Sequence, residues 1–124
     1  MAEAFPANRR EAILAFHFAD RIKAELILTS RLLNTVSQME GLEQEGAGKL
    51  FLDFLRGLEQ EINLAQVQIG DPDMIRLRTV MTGLIGMADS KMFADMQSHI
   101  TWMISTMATY AQRAMEYLVK EKLL

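Results

Sequence analysis

Met74, Leu77, Met81, Leu84, Ala88, Met92, Met96, His99, Met103, Met107, Tyr110, Ala114 and Leu118 follow one another at steps of three or four residues. A strand repeats every two residues, so this period specifies helix and places all thirteen positions on one face. Inside the stretch, the seventeen residues from Met96 to Gln112 include no formally charged side chain. A helix with so little charge must be covered on more than one side, either by the chain's own helices or by a second chain. Eight of the ten methionines fall between Met74 and Met115.

Two architectures satisfy the pattern. The phase runs through the region 83–90 without a slip, so one helix from 72 to 122 is possible; at ~1.5 Å per residue it would be about 76 Å long. The first helix would reach only about 46 Å, and the overhang would require an intertwined dimer. Alternatively, Gly83, Gly86 and the capping pair Asp89-Ser90 break the segment. The last helix is then roughly 50 Å long and lies antiparallel against the first. The second arrangement gives an all-α, antiparallel up-and-down bundle of four helices, about 8–39, 48–69, 72–86 and 90–122. The unbroken 72–122 helix is its alternative. No run of period-two alternation with β-branched enrichment suggests a strand.

The upstream helices carry ordinary signals. Residues 1–7 read as an arm, with Pro6 interrupting any helix and Phe5 available to tuck against the body. Asn8 followed by Glu11 matches the reciprocal capping pair of a helix start. The stripe after it comprises Ala15, Phe18, Ile22, Leu26, Leu33 and Val36, widened by Ala19 and Leu32. From Glu40 to Gly48 three glycines and three glutamates suggest a flexible loop. Phe51, Leu55, Leu58, Ile62, Ala65 and Ile69 mark a second helix, and Lys49, Asp53, Arg56, Glu59 and Glu61 supply its solvated face. Ile69-Gly70-Asp71-Pro72-Asp73 ends that helix and starts the next: Gly suits a helix C-terminus, Asp caps, and Pro fits the first turn. Residues 8–124 thus read as a single bundle domain, a usual size for one core.

Composition narrows the function classes. Thirteen basic and sixteen acidic residues give a net charge of −3, without the basic footprint of a nucleic-acid binder. The absence of cysteine removes disulfides, thiolate catalysis and Cys-based metal centres. The N-terminal residues do not form a secretory signal, which makes the cytoplasm the default compartment. The uncharged stretch is too short and too rich in Ser, Thr and Gln for a membrane span.

Catalytic constellations are likewise missing. Leu14 and Met96 stand three residues before the two histidines, where a carboxylate-bridged di-iron bundle would need Glu. Neither the zincin motif nor a nucleophile elbow occurs. Gly83-Leu84-Ile85-Gly86 lacks the Lys-Ser/Thr of a phosphate loop, so its glycines suit a turn or a close helix contact. Asp95 and His99 are four apart and could orient an imidazole, although no nucleophile is specified beside them. His17, beside Phe18 and Arg21, suits the boundary of the first helix's apolar face. Met92, Met96, His99, Met103 and Met107 offer thioethers and an imidazole, donors that suit monovalent copper. The same stripe is the face that must be buried, where methionine fills irregular core space.

The opposite face of the last helix carries Ser98, Thr101, Ser105, Thr109 and Gln112, with Trp102 beside it. A solvated helix usually presents Lys and Glu there, whereas small neutral side chains permit close approach without burying charge. The resulting expectation is a non-enzymatic scaffold or adaptor, with no cofactor, that forms a homo-oligomer (a dimer first) or binds a further protein through this face. The alternative is a binder of a small apolar ligand or Cu(I) in a Met-lined interior.

Overall fold

The computed structural model describes residues 6–122, so the expectation for Phe5 lies outside the described residues. Four helices follow in order: α1 (Arg9–Ser37), α2 (Gly41–Gln68), α3 (Pro72–Asp89) and α4 (Gln97–Lys120), with a short 3-10 turn (Phe93–Asp95) before α4. Among the described residues there is no strand. The chain is an all-α four-helix bundle.

Local chemistry accounts for most boundaries. Asn8 caps α1, its side-chain oxygen accepting the Glu11 N–H at 2.9 Å. Asp71 caps α3 by accepting the Asp73 N–H at 3.1 Å, and Pro72 occupies the first turn, where its missing N–H costs nothing. The expected loop at Glu40–Gly48 is corrected: α2 already begins at Gly41, which alone among the glycines takes a left-handed φ, of 59°. Gly46 and Gly48 each cost roughly 1 kcal/mol of helix propensity, but their neighbours are good helix formers and do not let the helix break. The connection between α1 and α2 is therefore tight. Gln44 donates from Nε2 to the Val36 carbonyl at 3.1 Å, a second bond to an oxygen that also accepts the Met39 N–H at 3.1 Å, and so ties the start of α2 to the end of α1.

The second break is also displaced. α3 continues through Gly83 and Gly86 to Asp89, and a Cβ at either glycine would meet nothing within 4 Å, so they serve neither a turn nor a close contact. The helix ends instead in a Schellman motif, with Met92 N–H bonded to the Met87 carbonyl at 2.8 Å and Lys91 N–H to Ala88 at 3.1 Å. Lys91 fills the left-handed position with φ 60°. The break over 90–96 excludes the unbroken 72–122 helix, and α4 begins at Gln97 rather than 90. It also shifts the apolar phase. Phe93 and Ile100 are buried where the sequence pattern points to Met92 and His99, both of which are exposed.

Side-chain bonds between helices fix their directions. Arg10 donates to Gln68 at 3.2 Å and Arg21 to Glu61 at 2.7 Å, so α1 and α2 run antiparallel. Arg78 donates to Gln66 at 3.2 Å across α2 and α3, and Gln97 donates to Ser30 at 3.0 Å across α4 and α1. One continuous core joins all four helices, from Ile22 and Leu26 through Leu55 and Ile62 to Leu84 and Met103. The most extensive helix contact is α1 on α4. The backbones of α3 and α4 approach each other least of the adjacent pairs. Met74, Met81, Met96, Met103 and Met107 are all fully or almost fully buried in this shared core, where long unbranched side chains fill irregular space. Thr29, the buried polar residue of α1, donates its hydroxyl to the Glu25 carbonyl at 2.7 Å.

Candidate functional site

α4 has Ile100, Met103, Met107, Tyr110, Ala114 and Leu118 on its inner side. Their spacing turns Ser98, Thr101, Ser105, Thr109 and Gln112 outward, and all five are exposed. Ala108 is exposed among them. No charged side chain interrupts this surface between Gln97 and Gln112. The hydroxyls are partly withdrawn from it: Thr101 donates to the Gln97 carbonyl at 2.9 Å and Thr109 to the Ser105 carbonyl at 3.0 Å. Such back-bonding satisfies the hydroxyl donor within the helix and lowers the polarity of the face.

Trp102 stands at the edge of this face. It is half-buried and packs against the core at the α3–α4 seam. There it lines a groove of about 180 Å³ with Asp73 and Arg76 of α3 and with Ser105, Thr106 and Thr109 of α4. The groove joins the outer face of α4 to one cation and one carboxylate of α3, a pairing not apparent along the sequence.

The methionine–histidine set is divided. Met96, Met103 and Met107 are fully buried, Met92 is 48% exposed and His99 is exposed, so the five side chains do not share one face. Asp95 belongs to the 3-10 turn and His99 to the first turn of α4, so no single helix carries them as a pair. Among the described residues no group of three or more His, Asp and Glu is placed to hold a metal ion. No described helix is long and apolar enough to cross a membrane.

A second cluster was hidden from sequence reasoning. Glu61, expected on the solvated face of α2, turns toward α1 with its side chain only 25% exposed. Arg21 meets it at 2.7 Å and reaches Glu25 on its own helix at 3.5 Å. Burial pushes the Glu25 carboxyl up to about 7; the adjacent Glu61 adds to the rise, and Arg21 opposes it. Glu61 in turn raises the Arg21 guanidinium above its ordinary value. His17, exposed and edge-on to Phe18 at 5.3 Å, lines the same cleft with Ile22 and Leu64. The four-residue spacing of Arg21 and Glu25 was the only sequence signal; the partner on α2 depends on helix rotation.

Comparison with known proteins gives no match: neither a family model, nor a curated protein, nor a solved structure matches this chain.

Proposed function

We propose that this chain is a non-enzymatic interaction protein that associates with a second copy of itself through the outer face of α4. The observation behind this reading is the exposed surface Ser98–Gln112, which has no charged side chain and whose threonine hydroxyls are turned back onto the helix. A monomer gains nothing from leaving an outer helix face without charge. An antiparallel contact of two such helices brings small side chains together and buries no unpaired ion.

Size sets a condition on the contact. The fifteen residues from Ser98 to Gln112 extend about 22 Å, and a strip roughly 10 Å wide falls well short of the ~800 Å² per partner of a standard interface. A stable dimer therefore also engages Trp102 and the flank formed by Asp73 and Arg76. Sedimentation equilibrium across a concentration series tests the reading: the chain should move from monomer to dimer as concentration rises, and Ser105→Glu should hold it as a monomer. A wild-type chain that stays monomeric at high concentration, or a dimer that Ser105→Glu leaves unchanged, overturns it.

A further inference from the structure

The α1–α2 seam holds two carboxylates and one cation. Arg21 gives its shorter contact, 2.7 Å, to Glu61 Oε1 and a longer one, 3.5 Å, to Glu25. The other Glu61 oxygen, Oε2, is buried and accepts no hydrogen bond from the protein. A buried carboxylate oxygen without a donor is costly, because water cannot reach it and nothing replaces water. Because both carboxylates meet the same Arg21 guanidinium, the Glu25 carboxyl is the neighbour of Glu61 across the seam. When protonated, it is an O–H donor for that oxygen; when ionised, it is a second negative charge beside it.

We infer that Glu25 and Glu61 hold one proton between them, making the α1–α2 seam a pH-responsive tie: drawn together when Glu25 donates to Glu61 Oε2, loosened when both carboxylates are ionised under a single arginine. The proton is released to solvent on loosening, and no other bond is made or broken. The charged groups acting on Glu25 are Glu61 from α2 and Arg21 from its own helix, with none contributed by α4 on the other flank of α1. His17 lines the cleft next to them. The rise of the Glu25 carboxyl to about 7 puts the change near neutrality. Phe18, Ile22 and Leu64 line the cleft beside the pair, and loosening widens it. The device lies on a different seam from the outer face of α4, so it stands or fails independently of self-association.

Carbon-13 NMR of the full chain labelled at the glutamate carboxyl carbons, titrated from pH 4 to 9, tests the inference. One carboxyl should titrate above pH 6 and vanish from the spectrum in Glu25→Gln, with the Glu61 signal shifting over the same range. In Glu61→Gln the Glu25 midpoint should fall by at least one pH unit, because the neighbouring negative charge is gone. Arg21→Gln should raise the midpoint, since the cation favouring ionisation has been removed. Amide hydrogen exchange, corrected for its intrinsic pH dependence, should quicken at the α1–α2 seam above pH 7 in the wild type only. Glutamates that all titrate below pH 5, or a high midpoint that survives Glu25→Gln, overturn the inference.

Discussion

Replacing Lys91 by glycine should stabilise the protein, and the sign of the effect distinguishes two architectures. Lys91 sits at φ 60° in the turn that ends α3, the position that glycine fills without steric cost. An L-residue with a side chain loses roughly 1–2 kcal/mol in that conformation. Glycine removes this cost but gains about 0.5–1 kcal/mol of unfolded-state entropy, so the net stabilisation is about 0.5–1 kcal/mol. At roughly 2.1 cal/mol/K per residue of unfolding entropy, a chain of this size should melt about 2–4 °C higher. Urea titration gives the free energy directly, and an unchanged slope would show that the surface exposed on unfolding is the same in both proteins. Lys91→Val, which places a β-branched side chain at a positive φ, should destabilise it. In a continuous 72–122 helix position 91 would be helix interior, and glycine there costs about 1 kcal/mol relative to a good helix former. A destabilised Lys91→Gly protein, or a Lys91→Val variant as stable as the parent, refutes the turn.

Two further outcomes follow from the core and from the α1–α2 seam. Met103 is fully buried, so Met103→Ala should cost about 2–5 kcal/mol and Met103→Leu less than about 1.5, both read by urea denaturation. Glu25 rises from an ordinary 4.5 to about 7 on folding, so its contribution is fully present below pH 4.5 and is lost as pH rises through 7. The full shift would correspond to roughly 3.4 kcal/mol, and because the carboxyl is partly open to solvent about 1–2 kcal/mol is expected. Stability measured from pH 4 to 8 should fall by that amount more in the wild type than in Glu25→Gln; parallel curves would contradict it.

Helix identity was legible in the sequence because periodicity reports burial directly. Every residue of the α2 stripe from Phe51 to Ile69 is buried, and the Asp71-Pro72 start is where its chemistry puts it. Glycine was the unreliable signal. Gly46, Gly48, Gly83 and Gly86 all lie inside helices, since a local propensity penalty is outweighed once the rest of the turn packs. The actual stop uses a lysine in a left-handed position, which composition does not mark. Register across that stop was equally hidden: a turn of a few residues can restore an apparently unbroken phase, and His99 and Met92 fell on the wrong side as a result. For the candidate site, the exposed Ser/Thr face was readable because one helix carries it. The positions of Arg76 beside Trp102 and of Glu61 beside Glu25 required two helices to be rotated against each other.

The fold itself does not require the outer face of α4 to be uncharged, and that separates folding from association experimentally. α4 is held by its extensive contact with α1 and by its methionines in the shared core; the outward positions add little to either. Charges placed there should therefore leave the monomer intact. Ser105→Glu with Thr109→Lys is the sharpest case, because a Glu four residues before a Lys adds about 0.3–0.5 kcal/mol to an isolated helix. The exchange surrenders the Thr109 hydroxyl bond to Ser105, a back-bond that slightly destabilises a helix, so the monomer loses little or nothing. In a dimer the same pair would bury two ions against the partner's small side chains. Melting temperature should rise with protein concentration in the wild type, as for any assembly that binds only the folded state, and become independent of concentration in the double variant. At the lowest concentration the two proteins should melt within a degree or two of each other. A variant that melts far lower when dilute would mean that the face serves the monomer's own fold, and a wild type indifferent to concentration would remove self-association as its purpose.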